Sequence, residues 1–293
     1  MRRALKVLAV VTSLGLLGAA ALPTGAVSNP LALPELSKEQ FLQIANIEAP
    51  PAGVGLRIHA DFPEEAPFDL NGLPLHSLSA AITPDGDVQV IEAHAAASST
   101  GTEGLEGCKD PTFIPSGVRW RAEDIPVQWR FRIGTTPANV TKFHALRAMR
   151  KAHQVWPRSN SECSTKEKVN FKFNYAGVTG KTVDYDGVNM IEFGKLGSSA
   201  LAVNYTWFQG DRILEVDMRL NKKDYRWVGR LYNAPNRYVI ANVVAHELGH
   251  QLGLADLSDP HAGLTMFARI SKGENRKIWL GRGDLRGGAA VSP

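Results

Sequence analysis

The run His246-Glu247-Leu248-Gly249-His250-Gln251-Leu252-Gly253-Leu254-Ala255-Asp256 places metal-binding and proton-transfer side chains at spacings that a helix can use. Residues four apart on an α-helix share one face. His246 and His250 can therefore offer two imidazole nitrogens to one Zn²⁺, which favours tetrahedral sets of His, Cys and carboxylate ligands. Glu247 then stands beside the ion. There its carboxylate can take a proton from a water that the ion acidifies and pass it to a leaving amine. Gly253 can adopt the left-handed conformation that ends a helix, turning the chain so that Asp256 returns as a third ligand. His261, five residues further on, is the rival for that position. With eight His and 29 acidic residues in 293, the bare His-acid-x-x-His pattern arises by chance in roughly 2% of such chains. Gly253 and Asp256 at their offsets lower that further, so metal-assisted hydrolysis is the chemistry to expect.

The surrounding elements must position this segment. Val239, Val243, His246 and His250 lie on one stripe of a 3.6-residue period, with Asn233 and Pro235 as start signals, which predicts a helix carrying the ligands. Val118-Arg119-Trp120 and residues 125–133 read as a first strand. Ala145, Met149, Ala152 and Trp156 mark a long helix that follows Thr136-Pro137 and ends near Pro157-Arg158. Residues 169–175, 189–193 and 213–221 read as further strands. Towards the N-terminus, residues 38–47 predict a short helix with Phe41, Ile44 and Ala45 inward, and residues 78–91 a hairpin through Pro84-Asp85-Gly86.

These elements and the motif together resemble the metzincins, and among them the matrixin family of secreted metallopeptidases. The family pattern His-Glu-x-x-His-x-x-Gly-x-x-His is matched by His246, Glu247, His250 and Gly253, with Asp256 where the family has a third His. Snapalysin-type bacterial metzincins carry Asp there. A carboxylate ligand leaves the zinc less positive, so its water should be less acidic than in a three-His site. Thr265-Met266-Phe267 lies at the family's methionine turn, and Asp284 at its buried acid, in a C-terminal helix that looks truncated at Gly287 and Gly288. Ala200, Leu201 and Ala202 take the place of the edge strand that pairs with extended substrates. The resemblance implies an α+β fold: a twisted, mostly parallel sheet with an antiparallel edge strand, a long backing helix and the active-site helix. It also implies one catalytic zinc and a pocket shaped by residues 268–279.

Residues Arg2, Arg3 and Lys6 precede an apolar run from Val7 to Leu22, the pattern of a secretory signal peptide. The expected organisation is a signal over 1–26, a propeptide or accessory region over 27–107 ending in a small, polar linker, and the peptidase domain over 108–293. A secreted monomer with no lasting membrane anchor follows. Cys108 and Cys163, the chain's two cysteines, should pair in an oxidising space. The alternative is a zinc-blocking role for Cys108, as animal matrixins have, although Glu106-Gly107-Cys108-Lys109 lacks their Pro-Arg-Cys-Gly pattern. Asp184, Asp186, Glu215 and Asp217 leave room for calcium. His59, His76, His94, His144 and His153 read as having no metal role. The net charge of +4 is modest and no nucleic-acid module appears, so protein or peptide substrates are the expected partners.

Zinc-dependent endopeptidase activity, with Glu247 as general base, is the function these residues imply. A zinc-stabilised binding protein is the alternative from another class, and a fourth ligand, an acid from residues 27–107 or Cys108, would favour it. A hydrolase of non-peptide amides is also compatible with the motif.

Overall fold

A computed structural model of the chain describes residues 33–95, 106–230 and 234–293. The signal segment and most of the expected linker lie outside the described residues. Leu33–Pro293 forms one compact unit.

Helix α1 (Lys38–Ala45) begins at Ser37, whose hydroxyl accepts from Gln40 N while the Gln40 side chain accepts from Ser37 N. That capping box satisfies two donors a short helix would otherwise leave open. Phe41, Ile44 and Ala45 are buried, as their spacing predicts. Four strands follow: β1 (Gly55–Asp61), β2 (Phe68–Leu70), β3 (Leu73–Ile82) and β4 (Val88–Ala95). β3 and β4 are the expected hairpin, with Gly86 at φ 94° in its turn. Next come β5 (Val127–Phe131), α2 (Lys142–Ala152), β6 (Phe173–Val178), β7 (Met190–Gly194), β8 (Ala202–Gln209) and β9 (Arg212–Asn221). The short parallel pair β10 (Trp227–Val228) and β11 (Tyr238–Val239) leads into α3 (Ile240–Leu252), and α4 (Arg282–Val291) closes the chain.

The sheet order is β2-β3-β1-β8-β9-β7-β5-β6, with β4 on β3. In the C-terminal half β6, β5, β7 and β9 are parallel and β8 is antiparallel. This is the α+β arrangement expected from the sequence. Helix α2 is shorter than its stripe suggested: Thr141 caps it, and Trp156 lies in the turns beyond. The stripe continues through those turns because burial, not helix geometry, sets it: Val155 and Trp156 are fully enclosed. Helix α4 is not cut short by its glycines. A Cβ on Gly287 would come within 2.8 Å of Phe113 Cβ, and one on Gly288 within 2.7 Å of Val169 Cγ2. The glycines let the helix pack close.

β1 belongs to the same sheet as the C-terminal half. Leu56, Ile58 and Ala60 point into a core shared with Val203, Tyr205 and Trp207 of β8 and with Phe41 and Ile44 of α1. On the opposite face, Ala202, Met218 and Leu220 join the larger core built on α2 and α3. Strand alternation therefore sends Arg57, His59 and Asp61 towards the α3 side.

Candidate active site

Helix α3 is buried on every side. The Trp156 indole donates to Ala245 O at 2.8 Å, which fixes the helix against the segment after α2. A Cβ on Gly249 would overlap the sulfur of Met266 and lie 2.8 Å from the Trp156 ring, so glycine is required there by close approach. Gly253 ends the helix at φ 111°, a conformation that costs a side-chain-bearing residue energy. The chain then doubles back. Leu254 O receives the His250 Nδ1 proton at 2.9 Å, and Asp256, fully buried, comes to lie beside both histidines. His246 donates in the same way from Nδ1 to Thr265 O, at 2.7 Å. A carbonyl can only accept, so both rings carry the proton on Nδ1 and present a bare Nε2.

These atoms suit a tetrahedral ion. His246 Nε2 and His250 Nε2 are 3.2 Å apart, and Asp256 Oδ1 is 3.3 Å from the first and 3.6 Å from the second. Four bonds of about 2.05 Å in tetrahedral array separate their ligand atoms by about 3.3 Å. Both oxygens of Asp256 and both of Glu247 are buried without a hydrogen-bond partner. Unpartnered buried carboxylate oxygens are costly in the absence of a cation. The imidazole nitrogens approach the Asp256 oxygens closely but without hydrogen-bond geometry, which is convergence on a shared point rather than mutual pairing. Burial would raise the Asp256 carboxyl, yet the His59 charge and the His246 contact hold it well below the usual range. Glu247 goes the other way: burial, then the neighbouring Asp61 charge, push it well above. His261 is elsewhere, with its Nδ1 2.8 Å from Asp110 Oδ2.

Met266 sits beneath the ligand helix at 2% exposure. Asp284 holds the turn, accepting from Thr265 N at 2.7 Å, Met266 N at 3.1 Å and Gly281 N at 2.7 Å. Lys277, also fully buried, donates to Thr265 O at 3.1 Å and to Phe267 O. Its ammonium is 3.4 Å from His246 Nδ1. Nothing in the sequence marked Lys277, because a lysine in a polar loop normally faces water.

A family model described as matrixin matches residues 119–290. The chain belongs to the matrixin family. A comparison with curated proteins finds no match. Membership implies a zinc-dependent peptidase that acts on proteins or peptides, and the buried His and Asp group is where this matrixin could hold the ion.

Two further residues of the site were missed from sequence. His59 belongs to a group with His246, His250 and Asp256 whose donor atoms lie within 4.8 Å of one another. Asp61 forms a second such group with Glu247 and His250. His59, read from sequence as having no metal role, therefore lies within a group that could hold an ion. The signal was present in the alternation of Leu56-Arg57-Ile58-His59-Ala60-Asp61, which puts two ligand-type residues on one face of a strand. β1 also covers the edge expected to pair with substrate: it pairs antiparallel with β8 from Gly55↔Phe208 to Asp61↔Ala202, and Leu201 N donates to Asp61 O at 2.7 Å. Ala200 and Leu201 precede β8, and Ala202 opens it.

Cys108 and Cys163 form a disulfide, so Cys108 is not a metal-blocking thiol in this matrixin. In the acidic group weighed for calcium, two carboxylates accept backbone hydrogen bonds. Glu215 accepts from the amides of Asp186, Gly187 and Val188, and Asp217 from those of Asp184 and Met190. Those bonds use the carboxylates to shape the loop before β7.

Proposed function

We propose that this matrixin is a secreted, single-zinc endopeptidase in which His246, His250 and Asp256 hold the ion and Glu247 is the general base. The observation that carries the reading is the convergence of two bare Nε2 atoms and an unpartnered Asp256 oxygen at tetrahedral spacing beside an unpartnered Glu247. Zinc, when bound, supplies a Lewis acid for the scissile carbonyl and acidity for the attacking water. Glu247 accepts that water's proton on a carboxylate oxygen and delivers it to the leaving amine nitrogen. Thr265 O and Leu254 O keep the two imidazoles oriented, and Met266 and Trp156 exclude solvent from below. Gly253 places Asp256, as the snapalysin-type pattern implies. Export fits the signal-like residues 1–26 and the disulfide, a bond of oxidising compartments. Among the described residues no helix is long and apolar enough to cross a membrane.

A binding protein with a structural zinc would need its fourth position closed and would have no use for a base. Glu247, whose oxygens have no other partner, favours catalysis. The test is zinc content of the full chain, followed by casein cleavage after the N-terminal residues have been cut away. Glu247→Ala should keep one zinc and lose cleavage by about a thousandfold or more, whereas Asp256→Ala should lose zinc. A parent chain that binds no zinc, or a Glu247→Ala chain that cleaves as well as the parent, refutes the reading.

A further inference from the structure

We propose that a basic groove beside the cleft binds an acidic segment of the protein substrate, so that this matrixin prefers chains carrying several carboxylates beyond one end of the bond it cuts. The inference rests on the peptidase reading above and names the substrate class of that same site.

Five cations line the groove: Lys195, Lys222, Lys223, Arg226 and Arg237. They come from separate segments. β5, β7 and β9 run parallel, so the loops that follow them open on one side of the sheet, which is where such sheets take ligands. Lys195 follows β7, Lys222 and Lys223 follow β9, and residues 136–139, between β5 and α2, line the same groove. Arg226 and Arg237 precede β10 and β11, and Tyr238 N donates to Arg226 O at 2.9 Å, which sets the two arginines at adjoining strand starts.

The five side chains are exposed and poorly neutralised. Lys223 approaches Asp224 only to 3.8 Å, and Lys222 Nζ donates to a carbonyl, Thr135 O, at 3.1 Å. Among the described residues Lys195, Lys222, Arg226 and Arg237 pair with no carboxylate. The whole chain carries a net charge of only +4, so five cations in one groove concentrate its basicity there. A concave surface lined by one sign of charge draws counter-ions to itself. Its volume of about 680 Å³ suits a ligand of several groups and not a single ion.

The groove's position identifies what carries the anion. Asn221 N donates to Leu201 O at 2.9 Å and Asn221 Nδ2 to Ala200 O at 2.8 Å, so Lys222 and Lys223 continue directly from the start of the expected substrate strand. Gly273 N donates to Arg237 O at 2.8 Å, which ties Arg237 to the loop expected to shape the substrate pocket. A peptide paired with β8 therefore meets the groove where it leaves the strand at Ala202, and not where it leaves at Gln209. Carboxylates borne on a peptide already find partners beside it. Glu65 accepts from the Tyr238 hydroxyl and pairs with Lys272 Nζ, both at 2.6 Å, next to Arg237 in sequence.

The binding test uses the full chain and fluorescein-labelled hexaglutamate, read by anisotropy, with dextran sulfate as the competing polyanion. Hexaglutamate should bind at one site, about tenfold more weakly at 0.5 M than at 0.05 M salt, as screening requires. Arg226→Glu combined with Arg237→Glu should weaken it by about tenfold or more. Lys166→Glu combined with Lys168→Glu makes the same change in net charge on another exposed surface and should leave binding unaltered. Absence of binding by the unaltered chain overturns the inference without reliance on any variant's folding, and equal losses in the two paired variants overturn the groove as its location. Binding of dextran sulfate but not hexaglutamate overturns the peptide assignment. The catalytic arm uses the casein-active preparation described above and one cleavable peptide with a hexaglutamate tail at its N-terminus, its C-terminus or neither. KM should fall about tenfold for one tail position only, with kcat unchanged, and the Arg226 and Arg237 reversal should remove the difference. Equal KM for all three peptides overturns the substrate role. Hexaglutamate binding with no cleavage of any peptide overturns the peptidase reading, and the substrate role with it, but leaves the anion site standing.

Discussion

Replacing Asp284 tests whether a buried acid 38 residues beyond His246 in sequence governs the ligand's position. Its oxygens accept three buried backbone N–H groups, at 2.7, 2.7 and 3.1 Å. Burial raises its carboxyl and the three amides lower it, with the balance upward. Three donors and no acceptor nevertheless face it, an arrangement that only the ionised form satisfies. A hydrogen bond to a charged group contributes about 1.5–3 kcal/mol, so three would total about 4–9 kcal/mol if additive. Bonds sharing one acceptor group are not additive, and water can reach part of the vacated space. Asp284→Ala should therefore cost about 4 kcal/mol, a large share of the roughly 5–15 kcal/mol typical of a domain. Asp284→Asn keeps one carbonyl acceptor and should cost about 2 kcal/mol. Urea unfolding of the full chain reads both. The Asn chain should also bind zinc about tenfold more weakly, because Thr265, whose amide Asp284 holds, supplies the carbonyl that orients His246. A loss under about 1 kcal/mol for Asp284→Ala, or unchanged zinc affinity in Asp284→Asn, would refute the reasoning.

Three further outcomes are expected. His153 is buried against Trp129, with ring centroids 3.7 Å apart, and burial pushes its imidazole down to about 3. The unfolded chain protonates this residue near pH 6.5 and the folded chain does not. Stability should therefore fall by about 1 kcal/mol for each pH unit below about 6.5 until pH approaches 3, and His153→Phe should flatten that part of the urea-midpoint profile. Replacing both Cys108 and Cys163 with Ser opens a loop 55 residues long and should lower stability by about 4 kcal/mol on the chain-entropy model, as thermal unfolding would record; a change below about 1 kcal/mol contradicts it. Gly249→Ala improves helix propensity yet forces a methyl into Met266 and Trp156. A net loss of about 1–3 kcal/mol should appear on chemical unfolding, whereas a gain would show that the Met266 side chain yields.

How far each element could be read ahead depends on whether its cause is local. His246, Glu247 and His250 were legible because helix geometry alone puts i and i+4 on one face. Gly253 was legible because a residue at φ 111° is almost always glycine. The capping box at Ser37 and Gln40, and the turn at Gly86, are likewise local chemistry. The end of α2 and the continuation of α4 through Gly287 and Gly288 were misread, since the deciding contacts come from residues far along the chain.

The sequence by itself determined the helix that carries the motif, the break that follows it, the pairing of its only two cysteines and the α+β order of elements. Tertiary structure alone decided what surrounds the motif: the buried ammonium of Lys277 against Thr265, the three amides gathered by Asp284, and the placement of His59 and Asp61 nearly 190 residues before the histidines they meet. Periodicity records which face of a strand a residue shares. It does not record which strand lies alongside, because pairing is settled by long-range burial, here of Leu56, Ile58 and Ala60 against Val203, Tyr205 and Trp207. That burial turned a polar strand face with no evident role towards the candidate metal site.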